Sequence, residues 1–194
     1  GLTERALDFI ISQLFFNAES PDNLKYALKA GYDINTVDSS GNNAIFGCRT
    51  LEALDFLLSN EVNIHHINKE GQNALFHQKN PEILKKLIEL SLDTSHTDTK
   101  GYTCIFAHYR DPEGLQVLLN AGCYINHVDN KERNILFLPL SPEVLSIAID
   151  SGCNVNHINH AGKGFIEEEY DDELHNIILR HIDKFERRTD RKST

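Results

Sequence analysis

The hexapeptide GNNAIF at Gly41–Phe46 returns as GQNALF at Gly71–Phe76 and as GYTCIF at Gly101–Phe106, each time thirty residues further on. A fourth copy, ERNILF, occupies Glu132–Phe137 with Glu in the glycine place. Repetition on this beat restricts the fold more than any other feature of the chain. A segment of about thirty residues cannot bury its own apolar face, so successive copies must stack and share one core. The glycine column reads Gly41, Gly71, Gly101, Glu132, Gly162, and the closing column reads Phe46, Phe76, Phe106, Phe137. Phe16 falls in the closing column on the N-terminal side, while Glu167 falls there on the C-terminal side and ends the pattern.

A second block follows each hexapeptide. Its apolar columns are Leu24, Leu54, Leu84, Leu115, Leu145 and, four residues on, Leu28, Leu58, Ile88, Leu119, Ile149. A separation of four is one face of a helix. Ser20, Asn80, Asp111 and Ser141 are N-cap types, each followed by Pro at the first helical position, and Thr50 caps the copy that lacks Pro. A third block, such as VNIHHINKEG, is rich in Asn, Asp and Gly and predicts a reversing loop. Each copy therefore reads as a short helix, a second helix and an extended turn.

At these residues the chain resembles the ankyrin repeats. The stretches LLSNEVNIHHIN and LLNAGCYINHVD are similar to the second half of that family's signature. The period is 30 or 31 residues, against about 33 in the family, which implies a shortened inner helix. The T-P-L-H segment of the family is replaced by N-A-I-F, N-A-L-F, T-C-I-F and N-I-L-F. The resemblance implies an all-α ankyrin-repeat solenoid of about five helix-turn-helix copies with terminal capping helices. The expected organisation is an N-terminal capping helix over 1–17, repeats over 18–166, a C-terminal capping helix over 167–186 and a basic tail over 187–194.

Composition excludes several functions. A net charge of −10 works against non-specific nucleic-acid binding, which needs Lys and Arg on phosphates. The longest apolar cluster, Leu7–Phe16, is interrupted by Asp8, Ser12 and Gln13 and is too short to cross a bilayer. Cys48, Cys104, Cys123 and Cys153 form no C-x-x-C pair, and a reducing compartment is expected. The chain opens on Gly and contains no Met, which is the expectation for a segment excised from something longer.

Three constellations invite chemistry. The Phe16, Phe46, Phe76, Phe106 and Phe137 column is expected to form a buried structural ladder. His66, His96, His127 and His157 share one column. Stacked copies roughly 8–10 Å apart cannot share a metal whose ligands must lie about 2.0–2.3 Å from it, so this column is read as turn residues bonding to backbone. Cys153, His157 and His160 give C-x3-H-x2-H without an evident fourth ligand, so no metal site is assigned. G-x-S-x-G, P-loop and H-E-x-x-H motifs are absent. Cys48 and Cys104 are read as buried structural thiols, and no catalytic residue is assigned. The acidic run Glu167–Asp172 is read as a solvated cap.

A stacked scaffold carries function in the variable positions of its exposed face. Those expected to meet a protein partner are Lys69, Glu70, Gln72, Lys100, Tyr102, Tyr109, Arg110, Asn130, Lys131 and Arg133, with Gln78 at an inner-helix end. Tyr102, Tyr109, Arg110 and Arg133 are expected as anchors, because Tyr and Arg dominate interface hot spots. The compressed period and the N-A-L-F variant are also similar to the C-terminal ankyrin region of the OspC-like bacterial type III secretion effectors. That resemblance implies a chain delivered into the host cytosol. It implies an upstream enzymatic part, activated by host calmodulin, that uses NAD to ADP-riboxanate an arginine of inflammatory caspases and so blocks pyroptosis. The repeats would then recruit the caspase. No cofactor is expected in this segment, with NAD serving the enzymatic part. The alternative is a free-standing ankyrin adaptor or inhibitor.

Overall fold

The computed structural model describes residues 3–165 together with Asn176, Leu179 and Arg180. The expected C-terminal capping helix and basic tail lie outside the described residues, apart from those three positions, which are helical or adjoin helix. The chain divides into two compact units, Gly1–Thr99 and Lys100–Thr194.

The first unit contains α1 (Glu4–Asn17), α2 (Pro21–Lys29), α3 (Leu51–Ser59) and α4 (Pro81–Glu89), with a single 3-10 turn at Ala74–Phe76. The second contains α5 (Cys104–Ala107), α6 (Pro112–Asn120) and α7 (Pro142–Asp150), with a 3-10 turn at Ile135–Phe137. Among the described residues no strand forms, and a lone antiparallel bridge joins Ile158 to Gly164.

Each nine-residue outer helix starts where its cap dictates. The side chains of Ser20, Thr50, Asn80, Asp111 and Ser141 accept from backbone amides two or three residues on. These bonds satisfy donors that a helix N-terminus otherwise leaves open. The buried stripe differs from the spacing read in the sequence. Leu24, Leu54, Leu84, Leu115 and Leu145 are buried, but their fully buried companions lie three residues on, at Ala27, Leu57, Leu87, Leu118 and Ala148. Leu28, Leu58, Ile88 and Leu119 are half-buried, while Ile149 in α7 is buried as the spacing of four predicts. A nine-residue helix packed on one side buries a narrow stripe, and the position three on lies nearer its centre than the position four on.

The inner segments are reduced further than the shortened period suggests. Between Asn73 and the next cap, Asn80, only six residues remain, room for one turn. A single 3-10 turn forms in two copies, a four-residue α5 in the third, and a plain turn over 44–47 in the first. In the second and fourth copies the Asn at the third place of the hexapeptide stabilises this minimal element. Asn73 Oδ1 accepts from Leu75 N and its Nδ2 donates to the Asp93 carbonyl at 2.8 Å. Asn134 repeats both bonds with Leu136 N and the Asn154 carbonyl.

The phenylalanine column is buried at Phe46, Phe76, Phe106 and Phe137. Phe16 departs from it. The fully buried ring of α1 is Phe15, and Phe16 is only half-buried. The cause is that α1 is a full helix of 14 residues. Its rotation turns Phe15 toward Tyr32, with ring centroids 5.4 Å apart, and leaves Phe16 on a cleft wall.

Candidate partner-binding surface

The exposed loops are built on one repeated turn. Asp38 Oδ1 accepts from the amides of Ser40 and Asn42 at 2.9 and 2.8 Å. Asn68 does the same for Glu70 and Gln72, Asp129 for Lys131 and Arg133, and Asn159 for Ala161 and Lys163. Closing so tight a reversal needs a left-handed residue. Gly71 supplies it at φ +79°, while Glu132 adopts φ +57° in the same column despite its Cβ.

Two ladders hold neighbouring loops together. One is backbone: within the first unit Lys69 N donates to the Ser40 carbonyl and Thr99 N to that of Glu70. Within the second, Asn130 N donates to Lys100 and His160 N to Lys131. The other is the histidine column. Nε2 of His66 and His96 lies 2.6 and 2.7 Å from the carbonyls of Gly41 and Gly71. Nε2 of His127 and His157 lies 2.8 and 2.6 Å from those of Gly101 and Glu132. A carbonyl only accepts, so Nε2 carries the proton. Three of these rings meet the phenylalanine column edge-on, at 6.1 Å for Phe46–His66, 6.0 Å for Phe106–His127 and 6.2 Å for Phe137–His157. Sequence reading separated these columns; their constant offset of 20 or 21 residues was the signal that they pair.

This geometry divides the residues expected to face a partner. Lys69, Glu70, Lys100, Asn130 and Lys131 are exposed at the loop tips. Gln72 is half-buried: its Oε1 accepts from His77 at 2.7 Å and its Nε2 donates to Asp98 at 3.2 Å. Arg133 clamps Asp129 through Nε at 2.9 Å and a terminal nitrogen at 2.7 Å, and donates to the Tyr102 hydroxyl at 2.9 Å. Desolvation opposes ionisation of Asp129. The Arg133 side chain and the amides of Arg133 and Lys131 outweigh it and lower the carboxyl pKa. Tyr102 stacks on Phe106 with centroids 4.7 Å apart. Tyr102 and Arg133 are thus joined by a structural bond. The Arg110 guanidinium lies 5.5 Å from the Tyr109 ring, and its Nε donates to the Pro139 carbonyl. Gln78, expected at the surface, is buried and donates to the carbonyls of Ile45 and Phe46. Its amide occupies an interior position where an apolar side chain would leave those carbonyls without this donor.

The other constellations have structural partners too. Cys153 Sγ faces the Ile125 carbonyl at 3.8 Å, His157 serves the Glu132 carbonyl, and His160 lies 3.9 Å from the Glu132 carboxylate. Among the described residues no three His, Cys, Asp or Glu side chains are grouped as metal ligands. Burial raises the Cys48 pKa to about 11 and that of Cys153 to about 12. His108, fully buried, lies 2.7 Å from Asp111 Oδ2, while Asp111 Oδ1 caps α6 through Gly114 N. Among the described residues no helix is long and apolar enough to cross a membrane.

No family model matches the sequence, and no curated protein matches it significantly. Solved structures do match. The ankyrin repeat domain of Bcl-3, a member of the IkappaB family, superposes with a TM-score of 0.64 at 18% identity, covering 82% of this chain and 77% of that one. A chain from the complex of the predatory endopeptidase Bd0816 of Bdellovibrio bacteriovorus with its immunity protein Bd3460 superposes at 0.61 and 20% identity, covering 85% and 92%. The fold is the ankyrin-repeat fold. The ankyrin inner helix is here cut to one turn, and the Phe–His pairing braces what remains.

Proposed function

We propose that this chain is a protein-recognition module whose partner lies along the loop tips. The observation that carries this is the contrast within each loop. Tip backbones are fixed by the two ladders, while Lys69, Glu70, Lys100, Asn130 and Lys131 are exposed. A fixed backbone with exposed, chemically varied side chains lowers the ordering cost of binding. Tyr109 and Arg110 are the remaining anchors of the second unit, since Tyr102 and Arg133 brace each other. Crosslinking a purified partner, followed by Lys69→Glu, Lys100→Glu and Lys131→Glu together, is the test. Unchanged affinity in the triple variant would remove the tips from the interface.

The partner we propose is an inflammatory caspase, recruited for an enzymatic part that carries out NAD-dependent ADP-riboxanation under calmodulin control. Support comes from the compressed period and the N-A-L-F variant of the hexapeptide. Calorimetry with a catalytically inactive caspase tests this proposal, and absence of binding leaves the adaptor reading.

A further inference from the structure

The first unit holds a half-open cleft of about 530 Å³ between α1 and the first loop tip. Phe9, Phe16 and Phe46 supply aromatic walls, and Asp38 and Asn43 supply the polar side. Phe9 is 64% exposed, an unusual place for a phenylalanine without a covering partner. Asn43 is 1% exposed. Its Nδ2 donates to the Asn63 carbonyl, but its Oδ1 has no hydrogen-bond partner. The same oxygen in Asn73 and Asn134 accepts an amide two residues on. The copy carrying Asn43 has a plain turn in place of the helical one.

These groups together discriminate between ligand types. An aliphatic side chain would satisfy the rings but set apolar surface against the Asp38 carboxylate. A carboxylate or phosphate would face Asp38 and a chain of net charge −10. A cation with several N–H donors suits both sides. Aromatic faces attract it, and the Asp38 carboxylate, which already accepts from the Ser40 and Asn42 amides and from Asn42 Nδ2, keeps a further lone pair for it. A guanidinium is favoured over an ammonium because it is planar, weakly hydrated and stacks on rings. The sign of charge then reverses along the surface. An adjoining cleft of about 370 Å³ shares Phe46, Gly47 and His77 and carries Arg49 and Lys79. One basic side chain followed by an acidic one fits this sequence of charges; a polybasic tract does not.

We propose that the α1 cleft receives a single basic side chain, arginine before lysine, from an extended segment of a protein partner; this deepens the recognition reading and rests on it. The probes are capped glycine-serine peptides with a central Arg, Lys, citrulline, Leu or Glu, titrated at millimolar concentration into the isotopically labelled full chain and followed by NMR. Citrulline keeps the shape of arginine and removes its charge. The expected order is Arg, then Lys, with citrulline, Leu and Glu at least about ten-fold weaker, the scale of a lost charge-assisted hydrogen bond. Shifts should centre on Phe9, Asn42 and Asn43. Asp38→Asn retains the turn, since Asn68 and Asn159 fill the same column, and Phe9→Ser alters an exposed ring. Each should weaken the arginine peptide about ten-fold. The proposal is overturned by equal binding of citrulline or Leu, by no binding of the arginine peptide, or by indifference to both variants. If those variants still hold a crosslinked partner while the triple tip variant loses it, the cleft assignment fails and the recognition reading stands.

Discussion

The His66 imidazole donates from Nε2 to the Gly41 carbonyl at 2.6 Å while its ring meets Phe46 edge-on at 6.1 Å. One side chain therefore joins a loop tip to the buried aromatic column, and His127 and His157 repeat the relationship. Replacing His66 with Ala removes the donor and one aromatic contact together. The expected loss is about 1–2 kcal/mol in urea unfolding, the usual cost of stranding a partly buried carbonyl. His66→Gln keeps a donor and should recover part of it. Equal destabilisation by Ala and Gln would show that the bond contributes nothing.

Gly47 is required by α1. A Cβ at this position would stand 1.8 Å from the Phe16 carbonyl oxygen, and the obstacle is backbone, so no side-chain rotation relieves it. His77 and Ala107 occupy the corresponding place in later copies. Gly47→Ala is expected to cost about 1–3 kcal/mol as an overpacking change and to loosen α1 first. Hydrogen exchange should rise in Glu4–Asn17 before it rises in α4. Uniform protection equal to the parent would refute this close approach.

The repeat, the outer helices and their caps were legible because each depends on local chemistry: Pro after an N-cap residue, and leucines at helical spacing. The Phe column was legible for the same reason wherever the copies are alike. Phe16 was misassigned because the column was extended into the expected capping helix, whose rotation over 14 residues buries Phe15 instead. Gln72 read as partner-facing, and Tyr102 and Arg133 as anchors, because polar residue types do not reveal whom they bond. Arg133 meets Asp129 four residues away but Tyr102 thirty-one residues away. The cleft was invisible, since Phe9, Asp38 and Asn43 come together only when α1 packs against the first tip.

The four cysteines should differ in reactivity although none is in a disulfide. Thiolate is the reactive form. Burial raises the pKa of Cys48 and Cys153, and a hydrogen bond with Cys123, followed by burial, raises that of Cys104. Cys123 alone is half-exposed. Native protein treated with iodoacetamide at neutral pH should therefore gain one adduct quickly, mapped to Cys123, and the other three only in denaturant. Rapid native labelling of Cys48 or Cys153 would contradict their burial.

Asp129 and Arg133 predict an acid-dependent contribution to stability. The folded pKa of Asp129 lies below its unfolded value, because the bonds from Arg133 and the loop amides outweigh desolvation. The unfolded state thus takes up the proton first as pH falls. The contribution is complete above the unfolded value of about 3.9 and disappears as pH drops through the folded one. Asp129→Asn isolates the charge, because Asn builds the same turn at Asn68 and Asn159. The variant should unfold at lower urea than the parent at pH 7, and the gap should narrow well below about pH 4. The Tyr102 hydroxyl remains available to Arg133 in the variant, so the turn and the Tyr102–Phe106 stack should persist in its NMR spectrum. A gap of the same size at both pH values would assign the loss to turn geometry instead of to the ion pair.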